Sequence, residues 1–303
     1  MKLSHITLAQ LRALIAVDDT GSFTLASERL SRTQSAVSHS IMQLEQEFGT
    51  PLFERQREGA VPTAAGKLAI KEARIALVHL ERLEHAVRGE AALMSGRLRL
   101  ACFSSAVNWI LGDALAEFSR RYPAIDLEIL ELADETSLSA LRERKVDLGM
   151  VNLPCASIAT FPLFEDELCI IISEEIAPDT DSETNLAQFA NIPFIYPSGA
   201  CSPLIEAAFQ SAGIQPRIAA RMTTHGAHLV LSLVHQKAGF SIMPAYALAS
   251  EATSDLRVLP IRPAILRRVA FAMESEQSLS PAARAFLDLV DEIRRQSPKA
   301  MGM

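Results

Sequence analysis

The chain has 303 residues, is 49% hydrophobic and carries a formal charge of −7. That is enough apolar material to bury cores in about two domains, and the acidic balance excludes nucleic-acid binding driven by bulk charge alone. Nothing approaches the ~18 continuous apolar residues of a membrane span, and the N-terminus MKLSHITLAQ lacks a signal peptide's apolar core. Cys102, Cys155, Cys169 and Cys201 form neither a CxxC pair nor a zinc spacing. The expectation is a cytoplasmic protein with reduced thiols, no metal, no cofactor and no membrane contact.

From the N-terminus, Leu8, Leu11, Leu14 and Ile15 repeat at helical spacing and predict a first helix that ends near Gly21. Ser22 is placed to cap a second helix burying Phe23, Ala26 and Leu30. Ser31-Arg32 makes a tight turn, and Thr33 is placed to cap a third helix burying Val37, Ile41, Leu44 and Phe48. The opposite face of that helix carries Gln34, Ser35, Ser38, His39 and Met42. Small hydroxyl and amide side chains let a backbone approach a groove floor and pair with base edges, and the positive helix N-terminus favours phosphate. Gly49 stops the helix; Phe53–Arg55 and Ala60–Pro62 read as two wing strands that would carry Arg55 and Arg57 to phosphate or the minor groove. The order is that of a winged helix-turn-helix. Residues 1–66 nevertheless hold six basic against seven acidic side chains, a net −1, so double-stranded DNA binding must rest on where the arginines sit.

This segment resembles the DNA-binding domain of the LysR-type transcriptional regulators. The likeness runs through Phe23-Thr24-Leu25-Ala26-Ser27, Gln34-Ser35-Ala36-Val37-Ser38, Leu44-Glu45, Gly49-Thr50-Pro51-Leu52-Phe53-Glu54-Arg55 and Thr63-Ala64-Ala65-Gly66. It implies that Gln34, Ser35, Ser38 and His39 read bases while Arg32, Thr33, Arg55 and Arg57 hold phosphates. Two departures bear on base preference and affinity: the family usually has proline where Ser35 stands and often arginine where His39 stands.

From Ala64 to about Met94 the pattern is one long helix. Ala69, Ala73, Ala76, Leu80, Leu83 and Val87 alternate at four and three, as a coiled-coil seam does, flanked by Arg74, Glu81, Arg82, Glu84 and Arg88. The alanine end suggests close approach of two helices. The resemblance implies that this helix pairs two subunits, with Ala76, Leu80, Leu83 and Val87 in the seam, in a homodimer or homotetramer. The alternative is packing on the chain's own body. Ser95-Gly96 marks a hinge.

Beyond Gly96, strands and helices alternate. Strands are expected at 97–103, 125–131, 146–151, 168–172, 194–196, 240–243 and 269–273, with helices at 109–122, 137–145, 204–211, 227–237, 246–251 and 281–295. This is an α/β pattern with parallel sheets. It resembles the regulatory domain of the same family, a two-lobed fold like that of periplasmic binding proteins, anchored here on Asp147-Leu148-Gly149 and Ala238-Gly239-Phe240-Ser241-Ile242-Met243-Pro244. The expected organisation is a winged helix-turn-helix over 1–63, a linker helix over 64–94 and an effector domain over 95–303, with lobes 95–164 plus 267–303 and 165–266. Ligands of open α/β sheets sit beyond the carboxyl ends of strands. Four such ends carry Ser104 and Ser105, Asp134 and Thr136, Ser198 and Ser202, and Thr224 and His225; the resemblance makes them the lining of an effector cleft. Hydroxyls and helix dipoles suit a small organic anion, whereas Asp134 would repel an anion or hold an amine. Each of these residues has plain N-capping as its alternative role. Phe103, Trp109, Phe161 and Met243 are core residues or an apolar wall of the cleft.

Three other functions compete. Cys201 stands where a helix N-terminus lowers a thiol pKa, as in redox-sensing relatives, but no resolving cysteine follows. Ser104 or Ser105 with His225 or His228 could form a Ser-His pair, yet there is no G-x-S-x-G elbow and no H-E-x-x-H; no catalytic residue is assigned. The −1 charge of the first module would also suit a protein-binding winged helix.

Overall fold

A computed structural model describes residues 5–56, 59–88, 96–107, 111–155, 158–178, 184–222, 227–248 and 253–296. The chain divides into two compact units, Met1–Val87 and Arg88–Met303.

In the first unit, α1 (Leu8–Thr20) begins at a capping box in which Thr7 accepts from the Gln10 N–H and Gln10 accepts from the Thr7 N–H. It ends at Gly21, left-handed at φ 63°. Its buried face is Ala13, Leu14, Ala16 and Val17, while Leu8 lies exposed, so the apolar stripe is rotated from the expected one. Helix α2 (Phe23–Arg29) is capped by Ser22, and α3 (Gln34–Phe48) by Thr33, whose hydroxyl accepts from the Ala36 N–H at 3.2 Å. Val37, Ile41 and Leu44 are buried, but Phe48 is exposed, because Leu52 and Phe53 of the following segment fill that end of the core. Strands β1 (Phe53–Gln56) and β2 (Gly59–Pro62) form an antiparallel wing with Phe53 opposite Pro62. The Glu45 carboxylate accepts from the Leu52 and Phe53 N–H groups at 2.8 and 3.4 Å and so fixes the wing to α3.

Helix α4 (Ala64–Arg88) corrects the seam. Its first turns lie on the unit's own core: Ile70 and Ala73 are buried there, and Ala69 packs beside them. A Cβ at Gly66 would collide with the Leu52 carbonyl, so only glycine permits this approach. Arg74 does not flank a seam. It is buried, pairs with Asp18 at 2.8 Å and with Asp19, and Asp19 also holds Arg29 at 3.1 Å. The small residues therefore serve packing within the chain, and only the outer end of the stripe is open. Ala76 is half-buried, and Leu80, Leu83 and Val87 are 44%, 61% and 78% exposed.

In the second unit, β3 (Gly96–Cys102) leads through a single turn, α5 (Ser104–Ala106), to α6 (Gly112–Arg121). Then follow β4 (Ile125–Glu131), α7 (Asp134–Arg142), β5 (Leu148–Leu153) and a 15-residue strand, β6 (Ala159–Ser173). Next come β7 (Phe194–Pro197), α8 (Ser202–Ser211), β8 (Ile218–Met222), α9 (Ala227–His235), β9 (Ser241–Pro244) and α10 (Ala245–Leu248). The unit closes with β10 (Leu256–Pro260), β11 (Leu266–Met273) and α11 (Pro281–Gln296). β8 and β10 were not anticipated, and α7 starts three residues before its expected first residue.

The sheets are mixed rather than parallel. β3 pairs parallel with β4 and β5, but β5 pairs antiparallel with β11, and β11 antiparallel with β6. Farther along, β6 pairs antiparallel with β9 and β10, and β7 with β8 in parallel. β6 thus passes from one sheet to the other. Its first part packs into a core with Phe118, Phe271 and Phe286; its second part packs with Phe189, Phe194 and Phe240. The expectation fell short because β6 is read on two different faces along its length, which erases a single alternation.

Candidate DNA-reading helix and effector cleft

Helix α3 presents Gln34, Ser35 and His39 to solvent, with Arg32 and Thr33 exposed at the preceding turn and Ser38 half-buried. The Ser35 and Thr33 hydroxyls lie 3.0 Å apart. Ser40 on the other face is buried and donates to the Ala36 carbonyl at 2.9 Å. One face of the helix therefore packs the core while the other is a polar surface of small side chains. Arg55 belongs to β1, but its side chain, and the whole of Arg57, lie outside the described residues.

The module's unfavourable charge has a structural explanation. Asp18 and Asp19 are neutralised by Arg74 and Arg29, and Glu45 is occupied by backbone N–H groups of the wing. Three of the acids thus serve internal contacts, none of them on the exposed α3 face.

In the second unit, the sheet-crossing strands carry a buried ion pair. Arg267 of β11 stands opposite Asp166 of β6, and their side chains are 1% and 0% exposed. The guanidinium donates from Nε and Nη2 to the Asp166 carboxylate at 3.0 and 2.6 Å, from Nη2 to the Ser105 hydroxyl at 3.0 Å and from Nη1 to the Cys201 sulfur at 3.6 Å. Burial pushes the Asp166 carboxyl up, and Arg267 pulls against it. A second bridge lies nearby. Asn152, at the end of β5, donates from Nδ2 to Asp134 at 3.0 Å and to the Ala200 carbonyl at 2.8 Å, and its backbone N–H also reaches Asp134 at 3.2 Å. Burial raises the Asp134 pKa against these hydrogen bonds.

The sequence-derived cleft residues divide accordingly. Ser105 and Asp134 join this junction. Ser202 closes a local turn, accepting from the Gly199 N–H at 3.0 Å and donating to the Pro197 carbonyl. Ser198 is placed by its N–H on the Met222 carbonyl, and the exposed Thr136 donates to the Ala133 carbonyl. The Ser104 side chain, Trp109, Thr224 and His225 lie outside the described residues. Phe103 and Met243 are core, and Phe161 packs at the edge of one core beside Arg294. Arg267, Asp166 and Asn152 were missed. Their signal is a charge or amide inside an apolar strand, which becomes informative only when register shows Arg267 and Asp166 to be direct partners. Cys201 keeps part of its surface exposed while its thiol turns toward Arg267; burial raises its pKa, with Arg267 opposing. Among the described residues, no group of three His, Cys, Asp or Glu could hold a metal, and no helix is long and apolar enough to cross a membrane.

A family model described as the LysR substrate binding domain matches residues 91–294, and another, for the bacterial regulatory helix-turn-helix protein of the lysR family, matches residues 8–67. The chain belongs to the LysR family. It is a DNA-binding transcriptional regulator with a helix-turn-helix domain and an α/β effector-binding domain. It is similar to the probable HTH-type transcriptional regulator LrrA of Synechococcus elongatus, 30% identical over 299 residues, which cover 97% of this chain and 98% of LrrA. A full-length OxyR variant from Pseudomonas aeruginosa matches with a TM-score of 0.76 at 21% identity, over 96% of this chain and 95% of that one. Full-length CbnR complexed with its target DNA matches with a TM-score of 0.61 at 22% identity, over 95% and 99%. At those identities the two structures speak for the LysR fold alone.

Proposed function

We propose that this LysR-family chain works in the cytoplasm as a homo-oligomeric, non-enzymatic regulator. Helix α3 enters the major groove of an operator, and a small molecule acts at the junction of the two α/β lobes. One observation carries the DNA assignment: α3 is buried through Val37, Ile41 and Leu44, which leaves Gln34, Ser35 and His39 free to face a groove. Arg32 at the turn, with Arg55 and Arg57 from the wing, supplies the phosphate contacts. The open end of α4, Leu80 to Val87, pairs with the same stripe of a second copy, and the dimer brings two reading helices to one DNA. Binding then rests on several modules rather than on bulk charge. The raised thiol pKa of Cys201 weighs against a peroxide switch. Effector control requires that the ligand favour one arrangement of DNA-binding modules over another.

The test is selection of duplexes from a random-sequence pool by the full chain, followed by a salt titration. A shared half-site motif is expected, with affinity falling steeply as salt rises. Ser35→Glu should abolish enrichment while leaving the melting temperature unchanged. A folded Ser35→Glu variant that enriches the same motif would remove α3 from the groove.

A further inference from the structure

The junction is not charge-balanced. Arg267, Asp166 and Asp134 together carry one positive and two negative charges, and the positive one is committed. Four of the five guanidinium donors are engaged, two of them by Asp166, and the side chain is 1% exposed. An incoming anion would find one unengaged guanidinium donor at most. Asp134 is in the opposite condition. It is half-buried, and among the described residues it accepts only from Asn152 and no cationic side chain lies within ion-pair reach, Arg267 acting on it from farther away. Beside it is a second unmet acceptor. Asn152 is oriented by its two Nδ2 donations, to Asp134 and to the Ala200 carbonyl, and this turns its Oδ1 to a buried position with no hydrogen-bond partner. A buried acceptor left without a donor is costly, and so is a half-buried carboxylate without a direct ion pair. Both deficits call for donors, and one calls for positive charge.

We propose that the effector is an amine whose ammonium group sits between the Asp134 carboxylate and the Asn152 Oδ1. An ammonium offers three donors and no acceptor, which matches a site with surplus acceptors. The placement also gives the ligand a mechanical role. Asn152 ties β5 to the start of α8 through Ala200, so an amine held by Asn152 and Asp134 strengthens the bridge between the lobes. This inference rests on the junction being the effector site, as proposed above.

The experiment is a thermal-shift titration of the full chain with straight-chain alkylammonium ions, the matching alkyl carboxylates and the matching α,ω-amino acids. Stabilisation is expected from ammonium-bearing probes and not from the carboxylates. Asp134→Asn keeps the size but leaves one oxygen in place of the two that accept from Asn152, so it should melt modestly below the parent and bind the same amine at least about tenfold more weakly. Asn152→Ala should weaken amine binding independently, which guards against misfolding of the first variant. If carboxylates alone stabilise, and Asp134→Asn strengthens them, the junction stands as the site and the amine assignment falls. If amines stabilise the parent and both variants equally, the junction itself is the wrong site. No stabilisation by any ammonium probe overturns the proposal.

Discussion

Arg267→Met tests whether the Arg267–Asp166 pair holds the two lobes of the regulatory unit together. Methionine keeps most of the chain length and removes the charge and all four hydrogen bonds. Asp166, 0% exposed at its side chain, would then retain only backbone partners, including a Tyr246 N–H at 3.4 Å. Breaking a buried pair from one side costs about 3–5 kcal/mol, because the remaining charge stays buried without compensation. For a unit of this size each kcal/mol moves the melting temperature by about 2–4 °C, so a fall on the order of 10 °C is expected by differential scanning calorimetry. The loss should depend on pH. Burial already raises the folded Asp166 pKa, and without Arg267 only the backbone hydrogen bonds from Tyr246 and Glu167 oppose that shift. A carboxyl raised in the folded state stabilises below its unfolded pKa, and that stability is lost as pH rises through the folded value. The deficit should therefore be larger at about pH 8 than at about pH 5. Arg267→Met combined with Asp166→Leu should recover most of the loss, since an apolar pair of similar volume has no charge to desolvate. A single variant that melts with the parent, or a double variant no more stable than the single, would refute the assignment.

Three further outcomes follow from the same contacts. Leu80→Glu with Leu83→Glu removes two leucines per chain from the proposed pairing face, each worth about 1.5–3 kcal/mol when buried; dissociation should strengthen at least about 100-fold in sedimentation equilibrium, and an unchanged dimer would place the seam elsewhere. Gly66→Ala pushes a methyl into the Leu52 carbonyl and should destabilise the first unit by about 1–3 kcal/mol in urea melts, whereas unchanged melting would mean α4 does not approach Leu52 closely. The Cys201 thiol should alkylate with iodoacetamide at least about tenfold more slowly in the native chain than in urea at neutral pH, because its raised pKa keeps it protonated; faster native labelling would restore the redox reading.

Local chemistry was legible in the sequence wherever a residue acts on its near neighbours. Thr33 and Ser22 cap the helices they precede, Gly21 and Gly49 end helices in the left-handed region, and Val37, Ile41 and Leu44 bury one face of α3 because a 3.6-residue period leaves no other choice. What needed the folded chain are the contacts between residues far apart. Ala69 and Ala73 needed the folded chain to be placed, because a stripe of small residues looks the same whether it meets a second copy or the chain's own core. Asp134, Ser105, Asp166, Asn152 and Arg267 come from five separate segments, and only the pairing of β11 with β6, and the hydrogen bond from β5 to the start of α8, brings them to one place. Periodicity encodes which face of an element is buried; it carries no information about which partner lies against that face, and that is a property of the tertiary arrangement.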